Sequence, residues 1–248
     1  MRSTRSPRSV RWQQESRSPE GSRVLKDARL KAGGSVYHYL EYPHALSIFS
    51  DERLRLANPL AWPDPYDQWC KSLFEPPGPL HETSAYALCW NRNPSDEAAW
   101  RMAGFQRANP IIRIRCRVPD ILAAASALAA QRPGAFFAGR VSYEREEQLY
   151  KRASPAQTAQ IKDASRTAAN LLLAKRNAFR FENEVRILWL DREAQKTALF
   201  LPIDAKSVVK QVMCSPYAHP QQRQKIREEF AKRFDVEVSD SGISAFAS

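Results

Sequence analysis

Glycine is scarce in this 248-residue chain: there are eight, and none falls in a G-x-G-x-x-G or G-x-x-x-x-G-K arrangement. Dinucleotide-binding and phosphate-loop folds therefore lose their usual phosphate cradle. The four cysteines, Cys70, Cys89, Cys116 and Cys214, lie far apart and form no C-x-x-C pair. That spacing argues against a zinc knuckle and suits a reducing cytosol, so the expected location is cytoplasmic. Histidine is equally rare at four, with no H-E-x-x-H and no clustered His/Asp set, and no metal is expected. Nothing like G-x-S-x-G marks a nucleophilic serine. Apolar runs are short as well. The longest, the Ala-rich stretch Ile121 to Ala130, is half the ~20 residues that a membrane-spanning helix needs. The basic N-terminus continues into polar residues, so a secretion signal and a membrane partner are not expected.

What the chain does have is a 43% apolar composition and 38 Lys+Arg against 27 Asp+Glu, a formal charge of +11. That charge favours acidic partners such as nucleic acid. It is unevenly spread. Residues 1–31 hold nine basic and three acidic side chains, with no apolar periodicity, and residues 1–34 read as a disordered basic arm. An arm of this kind is either a floppy leader or an electrostatic tether to nucleic acid.

The remainder, 35–248, reads as a single α+β domain with a mixed or antiparallel sheet and flanking helices. Order is expected from Val36, with Tyr37–Tyr39 in a short strand and Pro43 opening a helix. Ser95 is expected to cap a short helix carrying Trp100, and Ser154–Pro155 to start a long one reaching about Asn177. Ile112, Ile114, Cys116 and Val118 alternate with Arg113, Arg115 and Arg117, so a strand there has one apolar and one arginine face. That stripe is either a solvated face or a phosphate-binding, nucleic-acid-binding one.

Three patterns could carry chemistry. In a strand over Phe181–Leu190, Glu182, Glu184 and Arg186 share one face. Two carboxylates so placed repel, and Arg186 offsets part of that charge. They line either a solvated surface or a cleft, where an anion would stabilise a cationic transition state. His38 points opposite to Tyr37 and Tyr39, as a structural or ligand-binding residue. The loop Asn58 to Asp67 holds Asp64 between two prolines, which stiffen the backbone. It is either a rigid turn with an Asx hydrogen bond or an aromatic rim of Trp62, Tyr66 and Trp69 over a ligand.

The order of these patterns resembles an uncharacterised bacterial family, domain of unknown function 2971. The likeness rests on Tyr37–Tyr39, Leu54 to Asp67, Cys89 to Trp100 and Lys175 to Arg186. This chain departs from the pattern at Pro63, where an Asn is usual, and at Asp67, where a Glu is usual. More distantly the chain resembles ADP-ribosyltransferases of the DarT type, which modify DNA. That resemblance implies NAD as substrate, with His38 on the adenosine ribose and Glu184 on the nicotinamide ribose. It implies Glu182 positioning or activating the acceptor, an aromatic stacking on nicotinamide, and Tyr37, Tyr39, Trp62, Asp64, Tyr66 and Arg186 as the wider NAD-contacting set. It also implies a role in bacterial defence or conflict, with nucleic acid or protein as target. A non-catalytic nucleic-acid-binding module and a metal-dependent nuclease or hydrolase are the alternatives.

Overall fold

The computed structural model describes residues 10–17, 23–30, 34–62, 64–94, 96–152, 154, 163–193 and 196–243. Among them the chain order begins β1 (Trp12–Arg17), β2 (Arg23–Asp27), β3 (Ser35–Glu41), α1 (Tyr42–Asp51), β4 (Arg53–Ala57) and α2 (Pro65–Phe74). It continues with β5 (Ser84–Asn91), α3 (Glu97–Gly104), β6 (Ile111–Arg117), α4 (Val118–Ala129), β7 (Ala135–Arg140), β8 (Ser142–Glu144) and α5 (Glu146–Arg152). Last come α6 (Ala164–Leu172), β9 (Ala174–Arg176), β10 (Glu184–Asp191), β11 (Ala198–Pro202), α7 (Ala205–Val208), β12 (Val209–Cys214), α8 (Pro220–Phe234) and β13 (Val238–Asp240). The class is α+β with mixed strand directions, as the patterning predicts. The chain packs as two compact units.

The first unit comprises residues 1–31, 55–89 and 125–199. Its strands run β1-β2-β7-β10-β5, with β1 antiparallel to β2, β2 parallel to β7, and β7 antiparallel to β10. Leu25, Phe137, Leu188 and Leu190 on the sheet pack with Phe74 of α2 and Leu171 and Leu172 of α6. A small parallel pair, β8 with β9, lies in the same unit.

Here the disordered-arm expectation needs correction. Residues 12–17 and 23–27 are sheet strands, Val24 and Leu25 are fully buried, and Trp12 packs edge-on against Phe137 at 4.9 Å. A polar edge strand has no apolar alternation to reveal it, and its hydrogen bonds with β2 supply what its side chains do not. Residues 1–9, 18–22 and 31–33 lie outside the described residues.

The second unit comprises residues 32–54, 90–124 and 200–248. In it β6 lies between β3 and β12, antiparallel to both, and β12 runs parallel to β13. Val36, Ile112, Ile114 and Val212 are buried on this sheet. On α1 and α8, Phe49 and Phe230 meet edge-on at 5.4 Å. Two helix expectations shift. Ser95 and Pro155 lie outside the described residues. Asp96 caps α3 by accepting from the Ala99 amide at 3.0 Å, and Asp163 caps α6 by accepting from the Arg166 amide at 3.0 Å. Helix α6 ends at Leu172, where β9 begins two residues later, rather than running to Asn177.

Candidate active site

Four short segments of the first unit build one cavity of about 390 Å³, lined by Trp62, Asp64, Pro65, Asp67, Cys89, Lys175, Arg176, Phe179, Glu184 and Arg186. The proline-rich loop supplies the first wall. Asp64 is the N-cap of α2, its carboxylate accepting from the Tyr66 amide at 2.8 Å, with Pro65 in the first turn. A proline belongs there because its missing N–H would have no helical partner. The cap fixes the helix start, and Asp67 follows in the first turn, 3% exposed.

Strand β10 and the turn before it supply the second wall. Residues Asn177–Glu182 form a 3-10 helix, and Asn183 turns the chain with φ of 44°. Asn tolerates that left-handed conformation better than most residues. Glu182 and Glu184 are therefore not neighbours on one strand face, because the strand begins only at Glu184. Both carboxylates nonetheless converge on the Lys175 ammonium, Glu182 through a hydrogen bond and Glu184 at 3.8 Å. The Glu184 amide donates to the Tyr143 hydroxyl at 2.8 Å, which fixes the start of the strand.

Arg186 sits at the centre and is 1% exposed. Its Nη1 donates to the Leu172 carbonyl at 2.6 Å, its Nε donates to Glu184 Oε2 at 3.2 Å, and its Nη2 is ion-paired with the same oxygen at 3.1 Å. Its guanidinium stacks 4.6 Å from the Trp62 ring centroid. Asp67 Oδ1 lies 3.9 Å from Nη1, too far for a hydrogen bond, and has no hydrogen-bond partner. One buried cation thus faces two carboxylates and bonds only one of them. Arg176 closes the rim, with Nη2 2.9 Å from Asp64 Oδ2.

These placements set the proton affinities. Burial pushes the Asp67 carboxyl up; Arg186 pulls it back, Asp64 opposes that pull, and the result is about 6. Burial and then the Glu184 charge raise Glu182, against the pull of Lys175. Burial disfavours charge on Arg186, but Glu184 and Asp67 outweigh it and keep the guanidinium protonated. Burial pushes the Cys89 thiol up, which makes it a poor nucleophile.

Of the residues singled out from sequence, Trp62, Asp64, Glu184 and Arg186 line this cavity, and Glu182 joins it through Lys175. Tyr66 does not. It is 2% exposed, in an apolar cluster with Cys70 and Leu149, and its hydroxyl donates to the Leu171 carbonyl at 3.3 Å. Arg186 is consumed by protein partners rather than offered as a free ligand contact. Sequence reasoning passed over Lys175, Arg176 and Phe179 as site residues; their signal was the Lys-Arg pair just ahead of the aromatic turn.

Tyr37, His38 and Tyr39 belong to the second unit. There His38 meets the Trp90 ring at 5.4 Å, and Tyr39 meets Trp100 edge-on at 4.9 Å. The arginine stripe is not a uniform solvated face. Arg113 is buried over the Tyr37 ring at 4.8 Å, donating to the Pro94 carbonyl and, at 3.1 Å, to Gln211. Arg115 is half-buried, and only Arg117 is exposed. Alternation reveals which side chains share a face, but α3 packs against β3 and β6.

Among the described residues no group of three or more His, Cys, Asp or Glu side chains is arranged to hold a metal ion. No helix among them is long and apolar enough to cross a membrane. Neither a family model nor a curated protein matches the chain. Among solved structures, DarT from Thermus sp. 2.9 in complex with NAD+ is similar at 16% identity and a TM-score of 0.34, over 85% of this chain and 96% of that one. The same protein in complex with ADP-ribosylated single-stranded DNA is similar at 17% identity and a TM-score of 0.35, over 85% and 95% respectively.

Proposed function

We propose that the chain is an NAD-dependent ADP-ribosyltransferase-like enzyme and that Glu184 is its principal catalytic carboxylate. The observation that carries this reading is the one-sided grip on Glu184. The hydrogen bond from Arg186 and the close approaches of Arg186 and Lys175 are to Oε2, and we assign Oε1 to a ligand in a cavity walled by Trp62. A fixed, half-buried anion suits a reaction in which positive charge develops on a sugar. In that reaction the bond between nicotinamide and the ribose C1′ breaks, and its electron pair departs with nicotinamide. The sugar left behind is oxocarbenium-like, as in glycoside cleavage, and a carboxylate beside it lowers the barrier. Asp64 and Trp62 would complete the contacts around NAD, with Glu182 positioning the acceptor. The charge of +11 supports a polyanionic acceptor such as nucleic acid.

The test is nicotinamide release from NAD by the pure protein. Glu184→Gln keeps the shape and removes the charge, and it should slow release by about 10²–10³-fold. Equal rates for wild type and variant would remove Glu184 from this role.

A further inference from the structure

Resting on that reading, we propose that Asp67 is a second catalytic residue of the same cavity, the base that takes the proton from the acceptor as it attacks the sugar. Neither a strand pattern nor a motif singled it out for this; the geometry does. Asp67 lines the cavity, is nearly inaccessible to solvent, and has an oxygen with no hydrogen-bond partner. A buried carboxylate oxygen left unsatisfied is costly, and such groups cluster where a ligand or a proton completes them.

The neighbouring cation does not complete it. Arg186 spends its close donors on Glu184 and on the Leu172 carbonyl, and Asp67 is left at 3.9 Å. The two acids are thereby set apart in kind. Glu184 is held by a hydrogen bond and an ion pair from Arg186. Asp67 is held only at a distance and suits a group that changes its protonation. The charged groups facing it are Arg186 and Glu184 from β10, Lys175 from β9, and Asp64 from the start of its own helix, with Tyr66 and Cys70 beside it. Burial raises Asp67, Arg186 and Lys175 pull it back, Asp64 and Glu184 oppose that pull, and the balance lies at about 6, close to where a general base works best near neutral pH.

With water as acceptor the step balances. The C1′–N bond breaks and its electron pair leaves on nicotinamide, which departs neutral. The water oxygen forms the new C1′–O bond, and one of its protons passes to the Asp67 carboxylate, then to solvent. ADP-ribose and one proton are the remaining products. A base-bearing or hydroxyl-bearing acceptor follows the same course.

The experiment uses the full chain with NAD and no added acceptor, comparing wild type, Asp67→Asn, Asp67→Glu and Glu184→Gln. Nicotinamide release should fall about a hundredfold or more in Asp67→Asn, while KM for NAD stays within threefold. Wild-type kcat should fall as pH drops through about 6, and Asp67→Asn should lose that acid limb. Asp67→Glu should recover part of the rate and the limb, which a merely structural role would not explain. Wild-type kcat with an unchanged acid limb in Asp67→Asn would overturn the assignment of Asp67 alone, provided Glu184→Gln is impaired. A wild type that leaves NAD intact would overturn both readings.

Discussion

Asp67→Asn should make the protein more stable, and the size of the gain can be worked out in advance. The folded state lifts this carboxyl from 3.8 to about 6. At about 1.36 kcal/mol per decade of acidity, that amounts to about 3 kcal/mol. The sign follows from which state binds the proton more tightly. Here the folded state does, so the Asp67 contribution is favourable below pH 3.8 and is lost as pH rises through about 6. Above that point the ionised group costs stability, because burial outweighs the pull of a guanidinium 3.9 Å away. Asn mimics the protonated acid at every pH, and its amide oxygen can still face Arg186. Urea denaturation of both proteins at pH 8, 6.5, 5 and 4 gives the comparison, with equal m-values as the control for a common unfolded state. The variant should be more stable by about 3 kcal/mol at pH 8, and the gap should close by pH 4. A variant less stable at pH 8, or a gap that ignores pH, would refute the reasoning. A gain in stability together with a loss of turnover is the signature of a group kept for function.

Other outcomes follow from the same geometry. Glu184→Gln should lose turnover while keeping the fold, read as nicotinamide release beside an unchanged circular dichroism spectrum. Arg186→Met should destabilise the first unit by about 3–5 kcal/mol at neutral pH, because Glu184 and Asp67 would be left without their buried cation; a urea midpoint equal to wild type would contradict this. Gly134→Ala should destabilise by about 1–3 kcal/mol in thermal melts. Gly134 adopts φ of 157°, and a Cβ there would press into the Trp189 indole.

Much of the cavity was legible because its polar residues sit beside strong local punctuation. The Asx hydrogen bond expected of Asp64 between two prolines is present, though as the N-cap of a helix where a loop was expected, and the Glu-x-Glu-x-Arg run lies at the mouth of a strand whose later residues are buried. The geometry of that run was not legible. Period-two alternation assumes that the strand is already under way at Glu182, and a single residue in the left-handed region, Asn183, breaks that assumption. Burial was equally hidden at Arg113 and Tyr66. A one-dimensional pattern assigns faces, whereas the neighbour that covers a face comes from distant sequence. The clearest failure was the N-terminal segment, where Trp12–Arg17 reads as a polar tail yet forms a strand by backbone pairing. Asp67 was read as the end of a loop, whereas it lies in the first turn of a helix, and its missing partner is a property of three segments together.

The stacking of Arg186 on Trp62 also has an optical consequence. Of six tryptophans, Trp62 lines the cavity and faces its central cation. Indole emission shifts with the charges and water around the ring, so occupancy of the cavity is written into the fluorescence spectrum of this one side chain. A titration with NAD followed at the emission maximum, with Trp62→Phe as the blank, reports ligand entry without any chemical label. It does so whether or not turnover follows, and it separates a protein that binds from one that reacts.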